Sequence, residues 1–238
     1  MNIALVGYGR MGREIESIAL ERGHVIKLVI DIENMDDLTE ENLTGIDAAI
    51  EFSSPDSAFG NISRCLESSV PVVSGTTGWL ADYEKVVELC KKRNTSFIHS
   101  SNFSIGVNIL LRLNEDLAAL VSRYSDYSVG IEEIHHTKKL DSPSGTAISL
   151  ALGIAGGHPG YEKWCAGESM QDNCIPIHSV REGDVPGIHT VRWDSAIDSI
   201  TISHSARNRK GFAIGAVIAA EFIHSKKGIF TMSDVMGF

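Results

Sequence analysis

The sequence predicts an α/β protein in which a doubly wound parallel sheet is followed by a smaller α+β domain. Two observations lead to this fold class. From residue 2 to about residue 104, short apolar runs of strand type alternate with amphipathic helical runs, and this alternation is typical of parallel sheets covered by helices. Farther along the chain, runs of strand type outnumber helices, which favours a sheet with helical cover on one face.

The first half contains five predicted strands and three predicted helices. The strands are expected at residues 2–6, 24–30, 47–52, 70–73 and 96–99, and the helices at 13–20, 57–67 and 82–93. Residues 34–45 are polar and acidic and form a short connector. A doubly wound sheet binds its ligand at the carboxyl ends of its strands.

The second half begins with a predicted helix over residues 106–123. Four strands are expected at residues 128–135, 175–181, 188–193 and 199–204, forming a mixed sheet packed on a helix at 147–154. A further apolar helix is predicted at 212–223.

A glycine-rich turn joins the first strand to the first helix. It reads Gly7-Tyr8-Gly9-Arg10-Met11-Gly12, and G-x-G-x-x-G between a strand and a helix is typical of a Rossmann-type dinucleotide site. Gly7, Gly9, Arg10, Met11 and Gly12 are therefore predicted to bind the cofactor. Asp31 ends the second strand about 20 residues farther on, where such folds place the acid that binds the adenosine ribose.

The stretch from Ile131 to Thr146 concentrates the reactive side chains. His135 and His136 end a strand, so they point to opposite sides. Lys138 and Lys139 follow, and Ser144-Gly145-Thr146 opens a helix whose N–H groups suit an anion. We interpret this stretch as a proton-transferring, cation-lined pocket beside a carboxylate cradle.

Composition and charge exclude other classes of protein. Hydrophobic residues make up 43% and charged residues 22%, which is ordinary for a globular protein. No apolar run reaches about 18 residues, so no membrane span is expected. The net charge of −10 argues against nucleic acid as a partner. The chain enters a strand at once, without the start of a signal peptide, so a cytoplasmic location is expected.

The four cysteines contain no Cys-x-x-Cys pair. In a cytoplasmic protein, Cys65, Cys90, Cys165 and Cys174 are expected to be reduced and structural. A zinc site built from Cys165, Cys174 and His158 or His178 is a weaker alternative, and no metal is predicted.

The central stretch resembles one family. His-His-x-x-Lys-x-Asp-x-Pro-Ser-Gly-Thr-Ala, from His135 to Ala147, resembles the signature of dihydrodipicolinate (4-hydroxy-tetrahydrodipicolinate) reductases, with Ser142 where the family usually has Ala. The hairpin from Arg181 to Val191 and the turn from His204 to Arg209 resemble two more family motifs. For Arg181, His189 and Arg207, surface charge or tetramer contacts stay as alternatives. The glycine loop is one residue shorter than in most members.

The resemblance implies an NAD(P)H-dependent reduction of 4-hydroxy-tetrahydrodipicolinate to tetrahydrodipicolinate in the diaminopimelate route to lysine. It implies His135 as the acid/base and Lys139 as the proton donor. The residues expected to bind the substrate carboxylates are His136, Lys139, Ser144, Gly145 and Thr146, and the further cofactor residues are Gly75, Thr76, Thr77, Ser100, Ser101, Asn102 and Phe103. A homotetramer is implied, with residues 1–103 and 212–238 binding the dinucleotide and residues 104–211 binding substrate and forming the assembly.

The expected cofactor preference follows from one position at which this chain departs from the family pattern. Relatives that use NADPH well tend to carry Arg after the ribose-binding acid, and this chain has Ile32 there. NADH is therefore the preferred cofactor and NADPH the second.

Three alternatives remain. The first is another two-domain dehydrogenase, although a semialdehyde enzyme needs a catalytic Cys that no motif here supplies. The second is a metal hydrolase built on His135 and His136, which adjacent strand positions disfavour. The third is a non-catalytic NAD-sensing protein.

Overall fold

The computed structural model describes residues 1–167 and 173–238. Within these residues the chain forms eleven strands. They are β1 (Asn2–Val6), β2 (Val25–Ile30), β3 (Ala48–Glu51), β4 (Val72–Ser74), β5 (Ser96–His99), β6 (Ser128–His135), β7 (Lys163–Ala166), β8 (Cys174–Arg181), β9 (Ile188–Asp194), β10 (Ser199–Ser205) and β11 (Gly228–Phe230). The α-helices are α1 (Arg10–Glu21), α2 (Pro55–Glu67), α3 (Tyr83–Lys92), α4 (Ile105–Val121), α5 (Gly145–Gly157), α6 (Lys210–Ile223) and α7 (Met232–Met236).

The chain divides into two compact units. One comprises Met1–Ile105 with Arg209–Phe238, and the other comprises Gly106–Asn208. The fold class predicted from the sequence is confirmed: a parallel Rossmann-type sheet is accompanied by a second α/β unit with a mixed sheet.

The first unit is built on a six-stranded parallel sheet. Its strand order is β11-β5-β4-β3-β1-β2, and every pair is parallel. β1 is buried on both faces: Ile3 and Leu5 join the core under α1 and α6, while Ala4 and Val6 join the core under α2. Because both faces are covered, the strand is an unbroken apolar run and does not alternate with polar residues.

α6 belongs to the first unit and packs against α1. The carboxylate of Glu221 on α6 accepts hydrogen bonds from Arg22 at 2.7 and 2.8 Å, and one of its oxygens lies 2.7 Å from Nε2 of His24. The chain then adds β11 beside β5.

The second unit is built on a five-stranded mixed sheet of order β10-β9-β6-β8-β7. Our prediction of four strands was therefore wrong by one: β7 is an edge strand of four residues that pairs in parallel with β8. So short a segment shows only two periods of alternation, and its pairing depends on a neighbour farther along the chain.

One face of this sheet carries the core of the second unit. Val129 and Ile131 from β6 and Val191 and Trp193 from β9 pack with residues of α4 and α5. The opposite face is an open concavity whose lining includes His178, Thr190, Arg192 and Thr201. No helix in the described part of the chain combines the length and apolar character that a membrane span requires.

Candidate active site

The glycine turn after β1 has the backbone that a dinucleotide site needs. Gly7 has φ +96°, and a Cβ there would overlap the carbonyl oxygen of Phe52. A Cβ at Gly12 would overlap the carbonyl oxygen of Gly7, so the first turn of α1 lies directly against the loop. Gly7 and Gly12 are therefore positions that only glycine can occupy, and close backbone packing is the reason.

The N-terminus of α1 faces a pocket. The helix begins at Arg10, its first turn holds no acidic residue, and no side chain caps it. Its first N–H groups thus suit a phosphate. Around this N-terminus the pocket is lined by Gly9, Arg10, Met11, Phe52, Ser53, Pro55, Gly75, Thr76 and Thr77. Gly9, Arg10 and Met11 of the predicted glycine loop therefore share one pocket with the predicted Gly75–Thr77 loop, whereas Gly7 and Gly12 do not line it.

Asp31 lies beside the glycine turn. The N–H of Gly7 donates to the carbonyl of Ile30 at 2.8 Å, which brings the end of β2 next to the loop. Oδ1 of Asp31 accepts the N–H of Ile32 at 2.8 Å, and the side chain of Ile32 is 86% exposed. The carboxylate is thus held at the carboxyl edge of the sheet, where a ribose would bind.

Glu51 is a buried carboxylate at this edge that our sequence analysis missed. It is 1% exposed and accepts hydrogen bonds from the N–H of Ser53 at 2.9 Å, from Oγ of Ser74 at 2.7 Å and from Oγ1 of Thr76 at 2.7 Å. It also accepts the hydroxyl of Ser53. The signal was a lone acid at the end of the apolar run Ala48-Ala49-Ile50.

The loop after β5 is held by its own side chains. Oγ of Ser100 accepts the N–H of Asn102 at 3.1 Å, and Oδ1 of Asn102 accepts the N–H of Ser104 at 2.9 Å. Phe103 is 1% exposed and packs in the core. Its side chain is therefore structural, and the part of the predicted 100–103 site open to a ligand is the backbone with Ser101, which is exposed.

In the second unit, a cluster of polar side chains continues the core face of β6. Val129 and Ile131 face the core, and Glu133 and His135 follow on the same side at the carboxyl end of the strand. On neighbouring β9, His189 lies directly opposite Glu133. On β8, Arg181 lies opposite His135. Three strands thus bring the titratable groups together.

Glu133 is the centre of this cluster. It has 0% exposure. Its Oε1 accepts Nη2 of Arg181 at 2.9 Å and the N–H of Ser144 at 3.2 Å. Its Oε2 lies 2.5 Å from Nδ1 of His135. The charge of the buried acid is therefore balanced from several sides.

Burial and hydrogen bonding set the charges in the cluster. Burial alone would raise the pKa of Glu133, but the polar groups of His135, Ser179, Arg181 and Ser144 around the carboxylate hold that pKa far below its usual range. Burial, reinforced by the nearby His135, lowers the pKa of His189 to about 4. At neutral pH, Glu133 is ionised and His189 is neutral.

Arg181 and His189 are part of this cluster, so neither is a freely solvated surface charge: Arg181 is half-buried and His189 is buried. His189 is 4% exposed, and its Nε2 lies 3.1 Å from Oγ of Ser144. Nη2 of Arg181 also donates to the carbonyl of Asp141 at 2.6 Å. Sequence reasoning noted both residues in the hairpin motif, but it could not show that they meet Glu133.

Lys138 and Lys139 differ in their exposure and in their contacts. Nζ of Lys139 pairs with Oδ1 of Asp141 at 2.9 Å, and the Lys139 side chain is 23% exposed. Lys138 is exposed. Burial opposes ionisation of Asp141, but the hydrogen bond and charge of Lys139 lower its pKa. His136 is half-buried, with its N–H donated to the carbonyl of Val185 at 2.8 Å.

The predicted carboxylate cradle lies at the N-terminus of α5. Ser144 is the N-cap of this helix: its Oγ accepts the N–H of Ala147 at 3.3 Å. With 2% exposure, Ser144 has its N–H and hydroxyl inside the cluster. Gly145 is exposed and Thr146 is half-buried. The exposed part of the predicted cradle is therefore the first turn after Ser144, and Ser144 itself supports that turn.

Two groups of side chains have the donor types of a metal site. Glu133, His135 and His189 have ligand atoms within 4.8 Å of one another. However, the guanidinium of Arg181 already donates to Glu133, and a hydrogen-bonded network fits these contacts better than a second cation. Cys165 and Cys174 form a disulfide, while Cys65 and Cys90 are free and buried. The expectation that all four cysteines are reduced was wrong, and the disulfide replaces the zinc alternative.

The fold and the site define a class. A Rossmann-type unit with a glycine loop and an acid after β2, and a second unit with a buried acid–histidine cluster beside a helix N-terminus, are features of an NAD(P)H-dependent two-unit oxidoreductase.

Comparison with known proteins gives the family. The family model described as "Dihydrodipicolinate reductase, N-terminus" matches residues 1–103, and the one described as "Dihydrodipicolinate reductase, C-terminus" matches residues 106–236. This chain belongs to the dihydrodipicolinate reductase family.

Curated relatives agree with this assignment. A 4-hydroxy-tetrahydrodipicolinate reductase from Christiangramia forsetii is 55% identical over 99% of this chain and 98% of its own length. One from Thermosipho africanus is 36% identical over 99% of this chain and 98% of its own length. A solved structure, dipicolinate-bound dihydrodipicolinate reductase from Paenisporosarcina sp. TG-14, matches with a TM-score of 0.76 at 23% identity over 97% of each chain, which shows the shared fold.

Proposed function

We propose that this protein reduces 4-hydroxy-tetrahydrodipicolinate to tetrahydrodipicolinate, with oxidation of NAD(P)H and loss of water, in diaminopimelate and lysine biosynthesis. The observation that carries the proposal is the 55% identity, over nearly the whole chain, to a reductase of that name. The motif from His135 to Ala147, with its buried cluster, supports it at the site.

The first unit is proposed to hold the cofactor. Gly7, Gly9 and Gly12 would admit the pyrophosphate, which the first turn of α1 would bind, and Asp31 would accept hydrogen bonds from the ribose. The loops Gly75–Thr77 and Ser100–Phe103 would complete the site. When bound, the reduced nicotinamide supplies the hydride.

His135 and Lys139 are proposed to transfer the protons. Loss of water leaves a conjugated imine, and hydride addition leaves negative charge on a neighbouring carbon, which must take a proton. Lys139 would donate it and His135 would act as the acid/base. Binding of a substrate carboxylate to Lys139 would replace its present partner, the exposed Asp141.

The two substrate carboxylates need neutral or positive partners. We assign this role to His136, Lys139 and the first turn of α5, with Gly145 and Thr146 as the ligand-facing residues and Ser144 as their support. A helix N-terminus and an ammonium group together suit a dicarboxylate.

NADH is the proposed preferred cofactor, with NADPH accepted. Asp31 is held at the end of β2 by its own turn, and the next side chain, Ile32, is apolar and exposed. A 2′-phosphate would thus meet a carboxylate without a neighbouring guanidinium at position 32.

A homotetramer formed through the mixed sheet is also proposed. The open concave face of that sheet supports the proposal, because a second copy packed against this face would bury surface that is exposed in the single chain. Size-exclusion chromatography with light scattering should give four times the chain mass of 25.8 kDa. A monomeric mass would reject the tetramer. The proposed location is the cytoplasm, where NADH is regenerated, and cell fractionation tests it.

The activity is tested directly by spectrophotometry. Purified protein is mixed with NADH and enzymatically prepared 4-hydroxy-tetrahydrodipicolinate, and absorbance is followed at 340 nm. A substrate-dependent decrease is expected. A decrease only with other aldehydes or amino-acid precursors would favour another dehydrogenase. Binding of NADH without turnover of any substrate would favour a non-catalytic sensor.

A further inference from the structure

The carboxylate of Glu133 divides its two oxygens between different partners. Oε1 accepts Arg181 and the N–H of Ser144, while Oε2 lies against Nδ1 of His135 at 2.5 Å. If its only task were to neutralise Arg181, both oxygens would be expected to face the guanidinium. Instead, Arg181 and Ser144 fix one oxygen, and the other is left to the histidine.

We propose that Glu133 is a positioning residue that holds a hydrogen on Nδ1 of His135 and so makes Nε2 the nitrogen that transfers protons. The proposal rests on the role of His135 in the proposed function. An ionised carboxylate only accepts hydrogen bonds, so Nδ1 carries the hydrogen in both the neutral and the charged imidazole. Acids that act in this way fix both the tautomer and the ring orientation.

The surroundings of His135 are consistent with this role. A Cβ at Gly187 would lie 2.9 Å from Nε2 of His135, so the absence of a side chain at position 187 leaves room at that nitrogen. The ring of His189 lies edge-on to His135, with 5.0 Å between centroids. His189 is neutral and bonded to Ser144, so it orders the ring of His135 without placing a second positive charge beside it.

A double-mutant cycle tests whether Glu133 acts through His135. The variants are Glu133→Gln, His135→Gln and the combination, with turnover, KM for substrate and NADH affinity measured in each. Glu133→Gln should lower turnover roughly 10- to 100-fold with little change in KM, as losing an orienting partner reduces proton transfer. In the His135→Gln background it should change turnover less than about twofold.

Glu132→Gln is the matched control. Glu132 precedes Glu133 on β6, and its exposed side chain points to the other face of the sheet. It should keep wild-type turnover, and oligomeric mass is recorded for every variant. Circular dichroism checks folding. If Glu133→Gln does not fold, the cycle is run with Glu133→Asp, which keeps the charge but withdraws it from Nδ1.

The measurements distinguish a Glu133 that acts through His135 from a Glu133 that only supports the local structure. If Glu133→Gln reduces turnover by the same factor with and without His135, Glu133 does not act through His135 and the proposal fails. A rise in KM alone would make Glu133 a support of the Ser144 turn, which also overturns it. If His135→Gln keeps normal turnover, the assigned role of His135 fails first, which is a separate result.

Discussion

Two adjacent histidines at the end of β6 have different surroundings. His135 is 7% exposed and faces Glu133 and His189, on the core side of the sheet. His136 lies outside the strand proper and is fixed through its backbone to Val185. His135 is the last residue of β6 and lies on its core side, whereas His136 already belongs to the following turn. One step along the chain therefore separates the proposed proton-transfer group from the proposed substrate contact.

Replacing His135 tests the assigned acid/base. His135→Gln should lower turnover by roughly 10²-fold or more, the range expected for the loss of a general acid or base. NADH affinity should not change, because the predicted cofactor residues lie in the other unit. Steady-state kinetics and fluorescence titration with NADH measure the two quantities. Near-normal turnover would remove His135 from the mechanism.

The lysine pair provides its own control. Lys139→Ala should lose both turnover and substrate affinity, because one ammonium is assigned to donate a proton and to pair with a carboxylate. Lys138→Ala should stay close to wild type, since that side chain is exposed and has no assigned role. Initial rates over a range of substrate concentrations compare them. Equal losses in the two variants would show that the proton donor has been assigned to the wrong lysine.

Cofactor choice is expected to depend on the turn after β2. Asp31→Ser combined with Ile32→Arg should reverse the preference for NADH, since it removes a like-charge contact and adds a phosphate partner. A contact of about 1.4 kcal/mol corresponds to roughly tenfold in affinity. Dissociation constants for both cofactors are compared at one ionic strength. A wild-type preference for NADPH would assign control to Arg10 or to another residue.

At the scale of elements, the polar residues that end β3 and β4 depend on one buried acid. Glu51 accepts four hydrogen bonds from residues 53, 74 and 76. Residues 74 and 76 flank Gly75 in the proposed cofactor pocket, and residue 53 lines the same pocket. The ends of two parallel strands are thereby held in register with the loop between β4 and α3.

Removing this acid should affect both stability and binding. Glu51→Ala leaves buried donors unpaired, each at a cost of about 1–3 kcal/mol, so the melting temperature should fall. NADH affinity should fall as well, because the Gly75–Thr77 loop loses its support. Glu67→Ala, an exposed acid on α2, is the control. Unchanged NADH affinity in a folded Glu51→Ala protein would separate this carboxylate from the cofactor site.

At the scale of the molecule, the cluster of the second unit makes stability depend on pH. Burial lowers the pKa of His189 to about 4, whereas an unfolded histidine titrates near 6.5. The unfolded chain therefore binds this proton first, and stability is full above about pH 6.5 and lost as the pH falls toward 4. The loss attributable to His189 is on the order of 3 kcal/mol.

Thermal unfolding between pH 4.5 and 7.5 measures this dependence. His189→Gln does not titrate, so its melting temperature should fall less steeply with acid than that of the wild type. His224→Gln replaces an exposed histidine and should retain the wild-type slope. If His189→Gln and the wild type lose stability in parallel, another group dominates the acid response.

The local features of this protein were determined by the sequence itself. The glycine turn, the acid at the end of β2, the histidine pair and the helix opening at Gly145 each depend on residues a few positions apart. Backbone conformation, strand alternation and helix capping act over that range. The apolar runs likewise predicted most strands, because their burial pattern is local.

The tertiary structure alone decided which distant residues complete the cluster. Glu133 meets Arg181 and His189 because β6 pairs with β8 on one side and β9 on the other, in a register that no local pattern specifies. Ser144 reaches the same carboxylate from the N-terminus of α5. The same holds for β7, whose four residues form a strand only beside β8, and for the Cys165–Cys174 pair across those strands. Hydrogen bonding between strands sets register through the packing of whole faces, so these partners are properties of the sheet and cannot be read from any one segment.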